Sequence, residues 1–209
     1  EIYGDRDEKS IPTDESYNGN VSCTGPRACY DESKRYGETL CTNFAAQYDL
    51  PIGIIRPFNN YGPGLRIDDG RVLPDFARDV LNNRDIALLS EGGATRTFCY
   101  VADAVTGYYL ILGNSAKHPG ESFNIGTDTP EISMLELARR VSKTGARLFD
   151  YSGDVIYKTA EDPEYMTDNP NRRCPILAKA RNLLGYEPLV SIDEGLERAL
   201  IWYSQQDAR

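Results

Sequence analysis

Tyr30 and Lys34 stand four residues apart in the stretch PRACYDESKRYGETL, residues 26–40. At that spacing two side chains share one face of a helix, one turn from each other, so both can reach a common ligand. The chemistry such a pair offers is proton abstraction. A phenol has a pKa near 10, so as a general base at neutral pH its anion needs about 3 units of stabilisation, roughly 4 kcal/mol. An ammonium one turn away supplies much of that, and a bound cationic ring would supply more. By itself the spacing is a weak signal. It describes equally well a half-buried tyrosine beside a solvated lysine.

The elements that must position such a pair can be read from periodicity and punctuation. EIYGD has the look of a strand end, followed by a polar loop over residues 5–27. A helix is expected from about Ala28 to Tyr48, with Cys29, Leu40, Cys41, Phe44 and Ala45 on its apolar face and Gly37 as a close-contact point. LPIGIIRPF, residues 50–58, reads as a buried strand, and NNYGPG after it as a turn. Further helices are expected at about 72–83, with Phe76, Val80 and Leu81 facing in, and at about 102–113, carrying Val105, Tyr108, Tyr109 and Leu112. Strands are expected at 86–90 and 122–126. Ser133-Met-Leu-Glu136 and Ser191-Ile-Asp-Glu194 are capping boxes, and Gly185 closes the helix in PILAKARNLLGYEP. FDYSGDVIYK holds a strand, and AEDPEYMTDNPNRR is loop. The alternation of strand and helix defines an α/β protein with a mainly parallel sheet. Such sheets bind ligands beyond the carboxyl ends of their strands, where YGD, FNNYGPG and NIGTD fall.

Composition narrows the partners. The 209 residues are 40% hydrophobic and 26% charged, as in an ordinary globular protein, and no apolar run approaches the roughly 18 residues of a membrane span. A net charge of −9 excludes the basic stripe that nucleic acid requires, but a few arginines can still hold a diphosphate. Five scattered cysteines without a C-x-x-C indicate free thiols in a reducing cytoplasm, with neither a disulfide framework nor a metal site. The single histidine, His118, lacks partners for a triad or a metal cage and is read as surface.

In chain order, EIYGD, GPRACYDESKRYGETL, IRPFNNYGPG, GATRTFCYVADAV, FNIGT and RRCPILAKARNLLGYEP resemble the extended short-chain dehydrogenase/reductase family of NAD-dependent nucleotide-sugar epimerases, dehydratases and decarboxylases. The resemblance covers nearly the whole chain. GPRACYDESKR, DDGRVLPDF and RRCPILAKARNLLGYEP look most like the UDP-glucuronate decarboxylase group. It implies a Rossmann-like parallel sheet whose N-terminal half lies outside these residues, with a smaller C-terminal α/β lobe for the sugar nucleotide. Residues 1–60 and 98–127 would be the remainder of the NAD-binding domain, and 61–97 and 128–209 the substrate lobe.

The same resemblance implies roles. Tyr30 would be the catalytic base, with Lys34 holding the nicotinamide ribose and lowering the phenol's pKa. Glu1 would be an acid/base residue, and Arg173 would approach the sugar carboxylate. Asn60 and Arg71 would contact NAD, and Asn59 and Arg96 the sugar nucleotide. Plainer readings stand beside these: Arg71 as a solvated loop cation, Arg96 as a surface ion pair, Asn59 as a turn cap, and a one-residue slip between Arg172 and Arg173. The implied reaction oxidises the sugar at C4, loses carbon dioxide from the β-keto acid and returns the hydride, yielding UDP-xylose. A 4,6-dehydratase or 4-epimerase is the alternative enzyme. The family's glycine-rich cofactor loop is not in the sequence, so the chain is expected to be part of a longer enzyme and, alone, a silent binder of a sugar nucleotide. A homodimer built on the Tyr–Lys helix, through Gly37, Leu40 and Phe44, is also implied.

Overall fold

A computed structural model describes residues 1–158 and 170–206. In chain order the elements are α1 (Ala28–Tyr48), β1 (Ile54–Pro57), β2 (Asn60–Tyr61), α2 (Val72–Leu81), β3 (Ile86–Leu88), β4 (Thr95–Arg96), β5 (Cys99–Tyr100), α3 (Val101–Asn114), β6 (Ser122–Ile125), β7 (Ile132–Ser133), α4 (Met134–Phe149), β8 (Val155–Tyr157), β9 (Arg172–Arg173), α5 (Ala178–Leu184) and α6 (Ile192–Gln206). The expected elements are present, with two differences: Asn60–Tyr61, inside the stretch expected as a turn, pair with Cys99–Tyr100 as a short strand, and the opening segment is not a strand. Residues 1–5 form no strand; the segment makes only a bridge, Gly4 to Asn20, because the facing chain follows it for a single pairing. Most of the loop expected at AEDPEYMTDNPNRR lies outside the described residues.

Pairing is parallel for β1–β6, β2–β5, β3–β8 and β4–β9, and antiparallel only for β4–β7. The strands form small separate sheets, and the edge of β1 away from β6 carries no strand among the described residues. In the β1–β6 ladder Ile54 faces Ser122 and Pro57 faces Ile125, so both carboxyl ends point the same way. The short connection from α1 into β1 runs α1 antiparallel to that strand. The N-terminal turns of α1, with Tyr30 and Lys34, therefore lie at the carboxyl end of β1.

Two cores hold this arrangement. One packs α2, α4 and α6 around β3 through Phe76, Val80, Ile86, Leu137, Val141, Leu196 and Leu200. The other packs α3 and α5 on β6 through Ile111, Phe123, Ile125, Ala180 and Leu184. Full burial of a side chain such as Phe123 stabilises by about 2–3 kcal/mol. Gly107 sets the approach of α3, since a Cβ there would lie 2.7 Å from a methyl of Ile125.

Local chemistry explains the helix ends. Ser133 caps α4, its hydroxyl accepting from the Glu136 N–H at 3.1 Å. The reciprocal half of the box is not made, because the Glu136 carboxylate accepts from Arg140 one turn on. Ser191 and Glu194 repeat the pattern, with Arg198 capturing the carboxylate. Gly185 ends α5 at φ +68°.

The phase of two helices differs from expectation. In α3 the covered positions are Ala104, Gly107 and Ile111, whereas Val105, Tyr109 and Leu112 are exposed. In α1 only Ala28, Asp31 and Ala45 are buried. Cys29, Leu40 and Phe44 face outward, in line with Tyr36 and Tyr48, and Gly37 touches nothing. Periodicity located both helices, but an apolar stripe does not say whether a neighbouring element covers it. His118 packs edge-on against Phe123 rather than standing free at the surface.

Candidate active site

At the carboxyl end of β1 lies a cleft of about 1130 Å³. Glu1, Tyr30, Lys34, Asn59, Asn60, Arg71 and Arg173 all line it. They come from the opening segment, α1, the β1–α2 connection and β9, so the topology brings together residues up to 172 positions apart.

Tyr30 is 51% exposed, and its hydroxyl makes no hydrogen bond among the described residues. The Lys34 ammonium stands 5.3 Å from the centre of the Tyr30 ring, and the Arg27 guanidinium 5.9 Å from it on the same helix. Lys34 makes no ion pair among the described residues. A phenol open to the cleft, with an ammonium beside it, is an arrangement suited to proton abstraction.

Glu1 lies between two guanidinium groups, 3.5 Å from Arg27 and 3.6 Å from Arg173. Burial pushes its carboxyl up, and the guanidinium groups of Arg173 and Arg27 and the Lys34 ammonium pull it down. Arg173 itself is largely buried, which depresses its pKa; Glu1 opposes that and Arg27 adds to it.

The two adjacent arginines point different ways. Arg172 turns the other way and forks onto Glu131, at 2.9 and 2.7 Å, with Thr95 donating to the same carboxylate. The hydrogen bond from Arg172 is the largest influence holding Glu131 below the usual range. Only Arg173 faces the cleft.

Arg96 is not a lining residue of the cleft. It is buried, and its guanidinium donates to the carbonyls of Thr95, Asn171 and Pro170, tying β4 to the chain entering β9. Burial, reinforced by Arg173 and Arg6, lowers its pKa to about 10. It is therefore buried rather than at the surface, and it stands behind the cleft lining instead of on it.

Asn59 has φ +41°, the left-handed region that asparagine tolerates in turns, and its amide donates to the Thr97 carbonyl at 2.8 Å. Asn60 donates to the Tyr108 hydroxyl at 2.6 Å, and its own carbonyl oxygen is buried without a partner. Arg71 is exposed, with Asp69 2.8 Å away.

Sequence reasoning missed Arg27, which lines the cleft one turn before Tyr30. The i, i+3 spacing of Arg27 and Tyr30 was available as a signal. It also missed Glu38 and Arg56, a pair eighteen positions apart that no local spacing connects.

Parallel pairing, helices packed against the strands and a cleft at the strand ends define a Rossmann-like α/β fold. Residues 1–126 match the model of the NAD dependent epimerase/dehydratase family, and the chain belongs to that family. It is 39% identical over 196 residues to UDP-glucuronic acid decarboxylase 6 of Arabidopsis thaliana, covering 94% of this chain and 53% of that protein. It is 33% identical to UDP-glucuronic acid decarboxylase 1 of Xenopus tropicalis, covering 99% and 45%. Among solved structures, the epimerase Mth375 of Methanothermobacter thermautotrophicus superposes with a TM-score of 0.77 at 30% identity, covering 95% of this chain and 55% of that one. The chain thus spans about half the length of the curated relatives it matches.

Proposed function

We propose that the whole protein is an NAD-dependent decarboxylase of UDP-glucuronate, forming UDP-xylose. The observation that carries this reading is the gathering of Tyr30, Lys34, Glu1 and Arg173 on one cleft, in a chain 39% identical to a UDP-glucuronic acid decarboxylase. Tyr30 takes the proton of the sugar's 4-hydroxyl, and Lys34 stabilises the phenolate. Bound NAD would supply reversible hydride acceptance at C4. With a ketone at C4, the C5–carboxylate bond lies β to a carbonyl. Its electron pair flows into the ketone as carbon dioxide departs. Arg173 orients the carboxylate, and Glu1 assists return of a proton to C5. Lys34, Tyr30, Asn60 and Arg71 hold the cofactor; the buried, unpartnered oxygen of Asn60 suits a donor group there. Asn59 meets the sugar nucleotide, and the geometry of Arg96 favours a supporting part in that lobe over direct contact.

Residues 1–60 and 98–127 belong, on this reading, to the cofactor domain, and 61–97 and 128–209 to the substrate lobe. Both cores draw on each side of that division: Phe98 and Tyr100 join the core of α2, α4 and α6, and α5 packs against β6. Incubating the whole protein with UDP-glucuronate and NAD should release carbon dioxide and a UDP-pentose. A 4-epimer as sole product would favour the alternative suggested by the epimerase of similar structure. No product would reduce the protein to a binder of the sugar nucleotide.

The exposed stripe Tyr36, Leu40, Phe44 and Tyr48 on α1 supports a homodimer through that helix. The double substitution Leu40→Glu with Phe44→Glu should turn a dimer into a monomer in sedimentation; an unchanged mass would remove this interface. No described helix is long and apolar enough to cross a membrane. Five free thiols support a cytoplasmic location, against which recovery from a secreted fraction would count.

A further inference from the structure

Glu38 follows Lys34 by four residues, so Tyr30, Lys34 and Glu38 occupy successive turns of one face of α1. All three line the cleft. Opposite charges at this spacing attract, and a Lys34–Glu38 ion pair would cancel much of the ammonium's field at the neighbouring phenol. The structure contains a different pairing. Both carboxylate oxygens of Glu38 are taken by Arg56 on β1, Nε donating to Oε2 at 2.9 Å and Nη2 donating to Oε1.

The fork is fixed from behind. Nη1 of Arg56 donates to the Tyr3 hydroxyl at 2.8 Å and to the Glu15 carbonyl at 3.0 Å. The Tyr3 hydroxyl donates in turn to Oδ1 of Asn124 at 2.6 Å, a fully buried side chain of β6. With its donors committed on two sides, the guanidinium cannot swing away from Glu38 without breaking this chain. Lys34 is left over the Tyr30 ring with no carboxylate of its own.

We propose that Arg56 is a positioning residue that sequesters Glu38 and so keeps the charge of Lys34 directed at Tyr30. The Arg56–Glu38 unit is neutral overall, and its work is to remove a competing anion. The other charged groups nearby are Arg27 and Asp31 on α1, Glu1 and Arg6 on the opening segment, Arg173 on β9 and Arg71 before α2. Glu1 and Asp31 are engaged by Arg27, and Glu1 also by Arg173. The inference rests on the reading of Tyr30 as the base.

The test is the pH dependence of kcat/KM for the whole protein and for Arg56→Gln, Glu38→Gln and the double variant. Freed from Arg56, Glu38 turns to Lys34, the phenol becomes harder to ionise, and the acid limb for Arg56→Gln moves up by at least about half a pH unit. Glu38→Gln has no anion to pair with Lys34, so its limb stays in place. The double variant regains the wild-type limb even though it melts as early as Arg56→Gln. A purely structural role predicts no such return. If Arg56→Gln does not fold, Arg56→Lys serves instead, with a smaller shift in the same direction that Glu38→Gln reverses. An unshifted limb, or a shift that persists in the double variant, overturns the proposal. Tyr30→Phe separates the two readings. Turnover lost in Tyr30→Phe with an unshifted Arg56→Gln limb refutes the role of Arg56 alone, whereas turnover retained in Tyr30→Phe removes both.

Discussion

Tyr30→Phe in the whole protein lowers kcat for decarboxylation by about 100- to 10,000-fold, the range that a positioned general base contributes. The substitution removes one hydroxyl and nothing else the fold depends on. That hydroxyl has no partner among the described residues, the ring is half exposed, and its contact with the Lys34 ammonium involves the face that phenylalanine retains. The melting temperature should therefore stay close to wild type while turnover collapses. Binding of the sugar nucleotide, measured by calorimetry, should be preserved within a few-fold. A variant that keeps more than about a tenth of wild-type turnover would show that proton abstraction is not the work of this residue.

Arg173→Gln and Arg172→Gln give opposite results despite being adjacent. Arg173 lines the cleft beside Glu1, and on the proposed reading its loss removes a charged hydrogen bond to the sugar carboxylate, about 1.5–3 kcal/mol, or about 10- to 150-fold in kcat/KM. The loss should be largest with a carboxylate-bearing sugar and small with UDP-glucose binding. Arg172 is spent on Glu131, in a partly exposed pair worth about 1 kcal/mol at most. Its replacement should change turnover by no more than about fivefold. Equal loss from both substitutions would mean that β9 acts as a strut and neither side chain meets the substrate.

Much of this could be read in the chain itself, and the reasons differ by residue. Tyr30 and Lys34 were legible because a helix converts spacing into adjacency, and the family pattern supplied the chemistry. The caps at Ser133 and Gly185 were legible because they are local. The inward phase of α3 was not, since Ala104 and Gly107 are covered precisely for being small, while the larger Tyr109 and Leu112 are left outside. Arg96 failed for a different reason. Whether an arginine on a two-residue strand turns to ligand or to backbone depends on the chain at Pro170 and Asn171, more than seventy positions away. Arg27 was within reach of helical spacing. Glu38 and Arg56 were not, because their meeting requires the docking of α1 on β1.

Asn124 gives this architecture a temporal side. Its one side chain accepts from Tyr3 and donates to the carbonyls of Thr13 and Ile176, so a single amide knits together three stretches that lie as far as 121 positions from it. Loop closure over such distances is slow and comes late. A ribosome-bound chain that has not yet delivered Ile176 would still lack one of the three ties that this amide makes.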